Sequence, residues 1–134
     1  MTTKQDIETS LIGFIEDDFT AQFPLVPMAW GNQPFDYNAP PDVYVQAMVI
    51  IPNTEQLAVN SQLDRHYGNL HFTVITKLGL GTLTANLVAD WLYKAYRHES
   101  IDGIEIRGAK MAGEGAAHDG WEIKLLVPFV TSPL

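Results

Sequence analysis

No cysteine occurs anywhere in the 134 residues, so disulfide staples, thiolate metal sites and cysteine nucleophiles are all excluded. Positive charge is scarce as well. Lys and Arg total 8 against 16 Asp and Glu, a formal charge of −8. That balance lacks the basic footprint with which nucleic acid or an anionic membrane is gripped. Long apolar runs are missing too: the longest, Ala47 to Ile51, falls far short of the ~20 residues that span a bilayer. Met1 to Gln5 is polar and no apolar stretch follows it, so no secretory signal is expected.

Motifs that carry chemistry are equally thin. His66 and His71 are separated by an odd spacing, which on one strand sends them to opposite faces. Neither has a histidine partner at the helical spacing of a zincin. Gly79 and Gly81 ahead of Thr82 form a faint anion-loop pattern. No Lys stands beside Thr82 and no third glycine follows, so they read as turn glycines. Ser10, Ser61, Ser100 and Ser132 lack the flanking glycines of a nucleophile elbow. No catalytic residue, metal or cofactor is expected, and a non-enzymatic role follows.

What is present is the patterning of one packed domain over residues 1–134, with 46% hydrophobic residues. Ile7, Leu11, Phe14 and Ile15 predict a helix over 4–19, which Pro24 and Pro27 stop. Phe23 to Asp42 is rich in Pro, Asn and aromatics (Trp30, Phe35, Tyr37) and reads as an extended segment across the surface. Val43 to Ile51 predicts a strand ended by Pro52-Asn53, and Tyr67 to Thr76 a second one with alternating burial. Leu83, Leu87, Val88, Trp91, Leu92, Ala95 and Tyr96 form the apolar face of a second helix, with Lys94, Arg97 and His98 in its last turn and Gly103 as its stop. A strand from Ile104 to about Met111, a flexible turn from Gly113 to Gly120, and a period-2 strand from Trp121 to Phe129 close the chain. The order predicts an α+β fold: a mostly antiparallel (mixed) β-sheet with two α-helices packed on one face.

Two features point outward. Glu16, Asp17 and Asp18 crowd the end of the first helix, where the macrodipole disfavours anions by ~0.3–1 kcal/mol each; a solvated helix end or a cationic partner both account for them. The turn carrying Glu114, His118 and Asp119 exceeds the usual hairpin length of ~2–5 residues, as a mobile tip or a contact loop does.

Read end to end, the chain resembles the phage tail terminator-like proteins, minor tail proteins that cap long non-contractile tails. Trp30-Gly31-Asn32-Gln33-Pro34-Phe35 looks like the family's W-x-N-x-P-F segment, followed by the Pro40-Pro41 step into the first long strand. Arg65 to Leu70 looks like its R-x-x-G-x-L strand opening. Gly79-Leu80-Gly81-Thr82 precedes a helix holding Ala89-Asp90-Trp91-Leu92. The resemblance implies a homo-hexameric ring that docks on the tail tube protein, halts polymerisation and offers a surface to a head-completion or neck protein. It further implies DNA passing through without specific binding, no membrane partner, and residence in the virion tail after assembly in the bacterial cytoplasm. Trp30, Phe35, Glu16, Asp17, Asp18, Arg65, Glu114, His118 and Asp119 are the candidate subunit or tube contacts. A head–tail connector or tube subunit is the near alternative. A monomeric ligand-binding or enzymatic domain walled by Trp30, Phe35 and Tyr37 is the distant one.

Overall fold

The structure is a computed structural model that describes residues 4–31, 42–56, 64–77, 83–96, 98–117 and 120–131. Two helices, α1 (Lys4–Gln22) and α2 (Leu83–Ala95), accompany strands β1 (Met28–Trp30), β2 (Val43–Gln56), β3 (Asp64–Lys77), β4 (His98–Ile101), β5 (Ile104–Arg107), β6 (Lys110–Ala117) and β7 (Gly120–Thr131). The sheet runs β1-β2-β3-β7-β5-β4, with β6 also on β7. Every pairing is antiparallel except β1 with β2. This is the expected α+β architecture.

The helices share one face because their apolar residues and one side of the sheet enter a single core. Ile7, Leu11, Ile15 and Phe19 of α1 meet Val88 and Leu92 of α2 over Leu70, Phe72 and Val74 of β3 and Ile123, Leu125 and Val127 of β7. Each such side chain, once buried, contributes ~1.5–3 kcal/mol relative to exposure. Aromatic rings tie the layers together. Phe19, Phe23, Trp91, Tyr96 and Phe72 form a chain of neighbours with centroids 5.3–6.1 Å apart.

Several expectations need correction. Phe14 is 40% exposed, and Phe19 takes the core place it was expected to fill. On α2 the sheet-facing side is Ala85, Val88, Ala89 and Leu92; its two alanines let the backbone approach closely, while Leu83 and Leu87 stand 75% and 56% exposed on the outer side. His98 belongs to β4 and not to the helix. Gly103 is no helix stop. Asp102 and Gly103, at φ 49° and 81°, form the two-residue turn that joins β4 to β5, the Asp-Gly signature of a type I′ hairpin.

Pro52-Asn53 does not end β2, which runs on to Gln56. The register shifts between Ile50 and Asn53 while β3 advances only from Asn69 to Tyr67. Ile51 and Pro52 therefore oppose Gly68 alone, a bulge that places a residue with no N–H where the ladder is interrupted. Gly68 has no room for anything larger: a Cβ there would lie 2.5 Å from Phe129 Cζ and 2.7 Å from the Ile50 carbonyl.

The strand expected from Ile104 to Met111 is likewise two. β5 leaves β7 at Ile106↔Phe129 and β6 rejoins at Lys110↔Leu126, with Gly108 turning the chain at φ 66°. The ladder skips Pro128, which has no N–H to donate. Most of the expected flexible turn is the ordered strand β6, paired to β7 up to Ala117↔Gly120.

Candidate functional site

Among the described residues, the helices cover one face of the sheet and no element lies over the other. Period-2 alternation puts Gln46 and Met48 of β2, His71 and Thr73 of β3 and Lys124 and Leu126 of β7 on the side away from the core. His66 lies on the opposite side, buried, with its backbone N–H donating to Thr131 Oγ1 at 2.9 Å; the two histidines do face opposite ways. On the face away from the core, Lys124 Nζ lies 3.4 Å from Glu122 Oε1.

The acid is concentrated elsewhere. Asp6, Glu8, Glu16, Asp17 and Asp18 lie along α1 against the single cation Lys4. Asp18 accepts a hydrogen bond from the Tyr96 hydroxyl at 3.3 Å. Burial first, then the Asp18 carboxylate, raise the Tyr96 phenol well above its ordinary value. One of the three helix-end acids is therefore accounted for inside the subunit. Aromatic spacing along α1 and α2 was the available signal for this join, but the sequence pattern alone did not pair Tyr96 with Asp18.

The far edge carries Glu114. In β6 its carboxylate accepts from the Trp121 indole N–H at 3.3 Å, across the hairpin. β6 is otherwise nearly bare, with Ala112, Gly113, Gly115 and Ala116 in sequence. Among the described residues no strand lies beyond it, nor beyond β1 at the opposite side. Between α2 and β6 runs a shallow groove of about 400 Å³, walled by Asn86, Ala89, Asp90, Met111, Gly113 and Glu114 and floored by Ile123.

The sequence-derived contact residues do not converge. Glu16, Asp17 and Asp18 belong to the helix layer, Glu114 to the β6 edge, and half-buried Arg65 to the end of β3, opposite Glu55 in the register. Trp30 is corrected outright. It is 1% exposed in strand β1, part of the core and not of a surface segment, so it offers no neighbour a side chain. The hollow beside it, lined by Glu8, Ile12, Gly31, Met48 and Val49, measures about 140 Å³, below the ~300–1,000 Å³ of ordinary ligand sites. Phe35, Tyr37, Gly79, Gly81, Thr82, His118 and Asp119 lie outside the described residues. No helix among the described residues is long and apolar enough to cross a membrane.

No family model and no curated protein matches the chain. Among solved structures, one that carries a serial designation in place of a functional name superposes with a TM-score of 0.75 at 20% identity, over 99% of this chain and 99% of that chain. At that identity the likeness shows a shared fold, sheet and helices alike, over the whole domain.

Proposed function

We propose that this chain is a structural virion protein that caps a phage tail tube as a homo-hexameric ring, stops the tube polymerising and presents a surface to the head. The observation that carries the reading is the pair of open edges. β1 bounds the sheet at one side, while β6 and, beyond β5, β4 bound it at the other; no described strand lies beyond β1 or β6. Their directions, traced through the pairings, are opposite. Such a subunit offers each identical neighbour a different edge, and a contact of that kind repeats head to tail and closes into a ring when its rotation divides the full turn. The sequence resemblance to tail terminator-like proteins supplies the setting. The tube protein and a head-completion protein are then the partners, and DNA passes without specific binding because few cations are available to hold phosphate.

The experiment adds purified chain to tubes growing from purified tube subunits. Tubes should stop lengthening, with one added ring at an end in electron micrographs. If tubes elongate unchanged while the chain attaches to filled heads, it is a connector. If it attaches to neither, the reading is wrong.

A further inference from the structure

We infer that the contact between neighbouring copies seats Leu25 of one subunit in the groove between α2 and β6 of the next. The inference rests on the ring reading above and supplies its contact. Leu25 is 92% exposed, the most exposed large apolar side chain among the described residues. It is held out by a turn bounded by Pro24 and Pro27, whose fixed φ angles stiffen the segment in advance of binding. An isolated exposed leucine is ordinary; a stiffened one is what a head-to-tail contact requires when the opposite side of the same molecule carries a hollow in which Ala89, Met111 and Ile123 offer apolar contact between Asn86, Asp90 and Glu114.

The sheet sets the geometry. Its registers align Met28, Val45, Val74, Ile123 and Glu114 in one row from the β1 edge to the β6 edge. Leu25 stands three residues before the first of these, and Ile123 and Glu114 form the floor and one wall of the groove. The groove therefore shares its row with the start of β1 on the opposite edge, and Leu25 stands in the turn just ahead of that start. α2 separates them: its Trp91 faces Phe19 and Phe23 on the α1 side, whereas Ala89 and Asp90 face the groove. A copy cannot fill its own groove with its own Leu25.

The backbone direction agrees independently. β1 runs parallel to β2, and three antiparallel steps lead from β2 through β3 and β7 to β6. A neighbour laid alongside in the same orientation brings its β1 antiparallel to β6. The small residues of β6, Ala112, Gly113, Gly115 and Ala116, put little bulk in the way.

The absence of native cysteine makes the test clean. Leu25→Cys and Met111→Cys are purified separately, mixed at raised ionic strength and treated with a short bifunctional thiol reagent, with sedimentation followed in parallel. The expected result is a cross-linked dimer in the mixture, none in either variant alone, and a ladder of oligomers from the double variant. Leu25→Glu in the native background should leave only the monomer boundary. Rings that sediment normally but give no cross-link in the mixture overturn this contact and leave the ring standing. Cross-linking of Leu25→Cys with itself overturns it in favour of a two-fold contact. Absence of both rings and cross-links at every salt concentration overturns the contact and the ring together.

Discussion

The Tyr96 hydroxyl donates to Oδ2 of Asp18 at 3.3 Å, joining the chain just past α2 to the last turns of α1. Tyr96 is fully buried and its ring stacks on Phe72 of the sheet, so one side chain touches all three parts of the core. Tyr96→Phe keeps the ring and removes the bond, and should cost about 0.5–1.5 kcal/mol at neutral pH.

The pH dependence follows from the same pair. Burial and then Asp18 hold the folded phenol above its ordinary value. Above pH ~10 the unfolded chain therefore releases a proton that the folded chain keeps. Stability supplied by this group is present below that pH and falls by about 1.4 kcal/mol per unit above it. Urea unfolding at pH 7, 9, 10.5 and 11 should show the wild type and Tyr96→Phe converging at the alkaline end. Curves that stay parallel would remove the assignment.

Gly68 opposes the two-residue bulge at Ile51 and Pro52, and Gly68→Ala drives a methyl into both Phe129 and the Ile50 carbonyl. Overpacking of this kind costs ~1–3 kcal/mol, sometimes more. Phe129→Leu in the same chain should recover only part of the loss, because a side chain can move aside and a backbone carbonyl in a ladder cannot. Full recovery in chemical denaturation would place the whole clash on the ring.

Two leucines of α2 have opposite surroundings. Leu92 is buried in the core, and Leu92→Ala should cost ~2–5 kcal/mol. Leu87 is mostly exposed, so Leu87→Ala should stay within about 0.5 kcal/mol of wild type. Thermal unfolding of the two variants checks the rotation of this helix directly; equal losses would return Leu87 to the core.

That rotation marks where the sequence stops being informative. Period alone located α2 and its buried Val88 and Leu92 but not Ala85 and Ala89, and a leucine one step off the stripe looks the same whether it packs or not. Which arc faced the sheet was decided by Ala85 and Ala89, whose smallness permits close approach. The strands with strict alternation, around Phe72 and Ile123, were legible for the same reason that β4 was not: four residues, His98–Ile101, give too few repeats to show a period. Pro52 misled, since a proline reads as an end unless the partner strand reveals a bulge; Pro128 did not, because the alternation continues past it to Phe129. Of the surface, the acids of α1 were readable, whereas the α2–β6 groove was not, because its walls come from segments distant in sequence and meet only through β7.

Charge gives the last prediction, which rests on the ring reading. Each subunit carries −8, and the groove proposed to receive Leu25 is itself flanked by Asp90 and Glu114. Closing a ring from such subunits works against repulsion that salt screens, over a distance that shrinks from ~10 Å at 0.1 M to ~3 Å at 1 M. The apolar part of the contact is not weakened by the same salt. The free chain should therefore sediment as a monomer at low ionic strength and as rings when salt or a divalent cation is added. Glu16→Gln with Asp17→Asn lowers the charge of α1 without touching Asp18, and should move the transition to lower salt. Assembly that weakens steadily as salt rises would mean that ion pairs between copies, and not apolar fit, hold the ring.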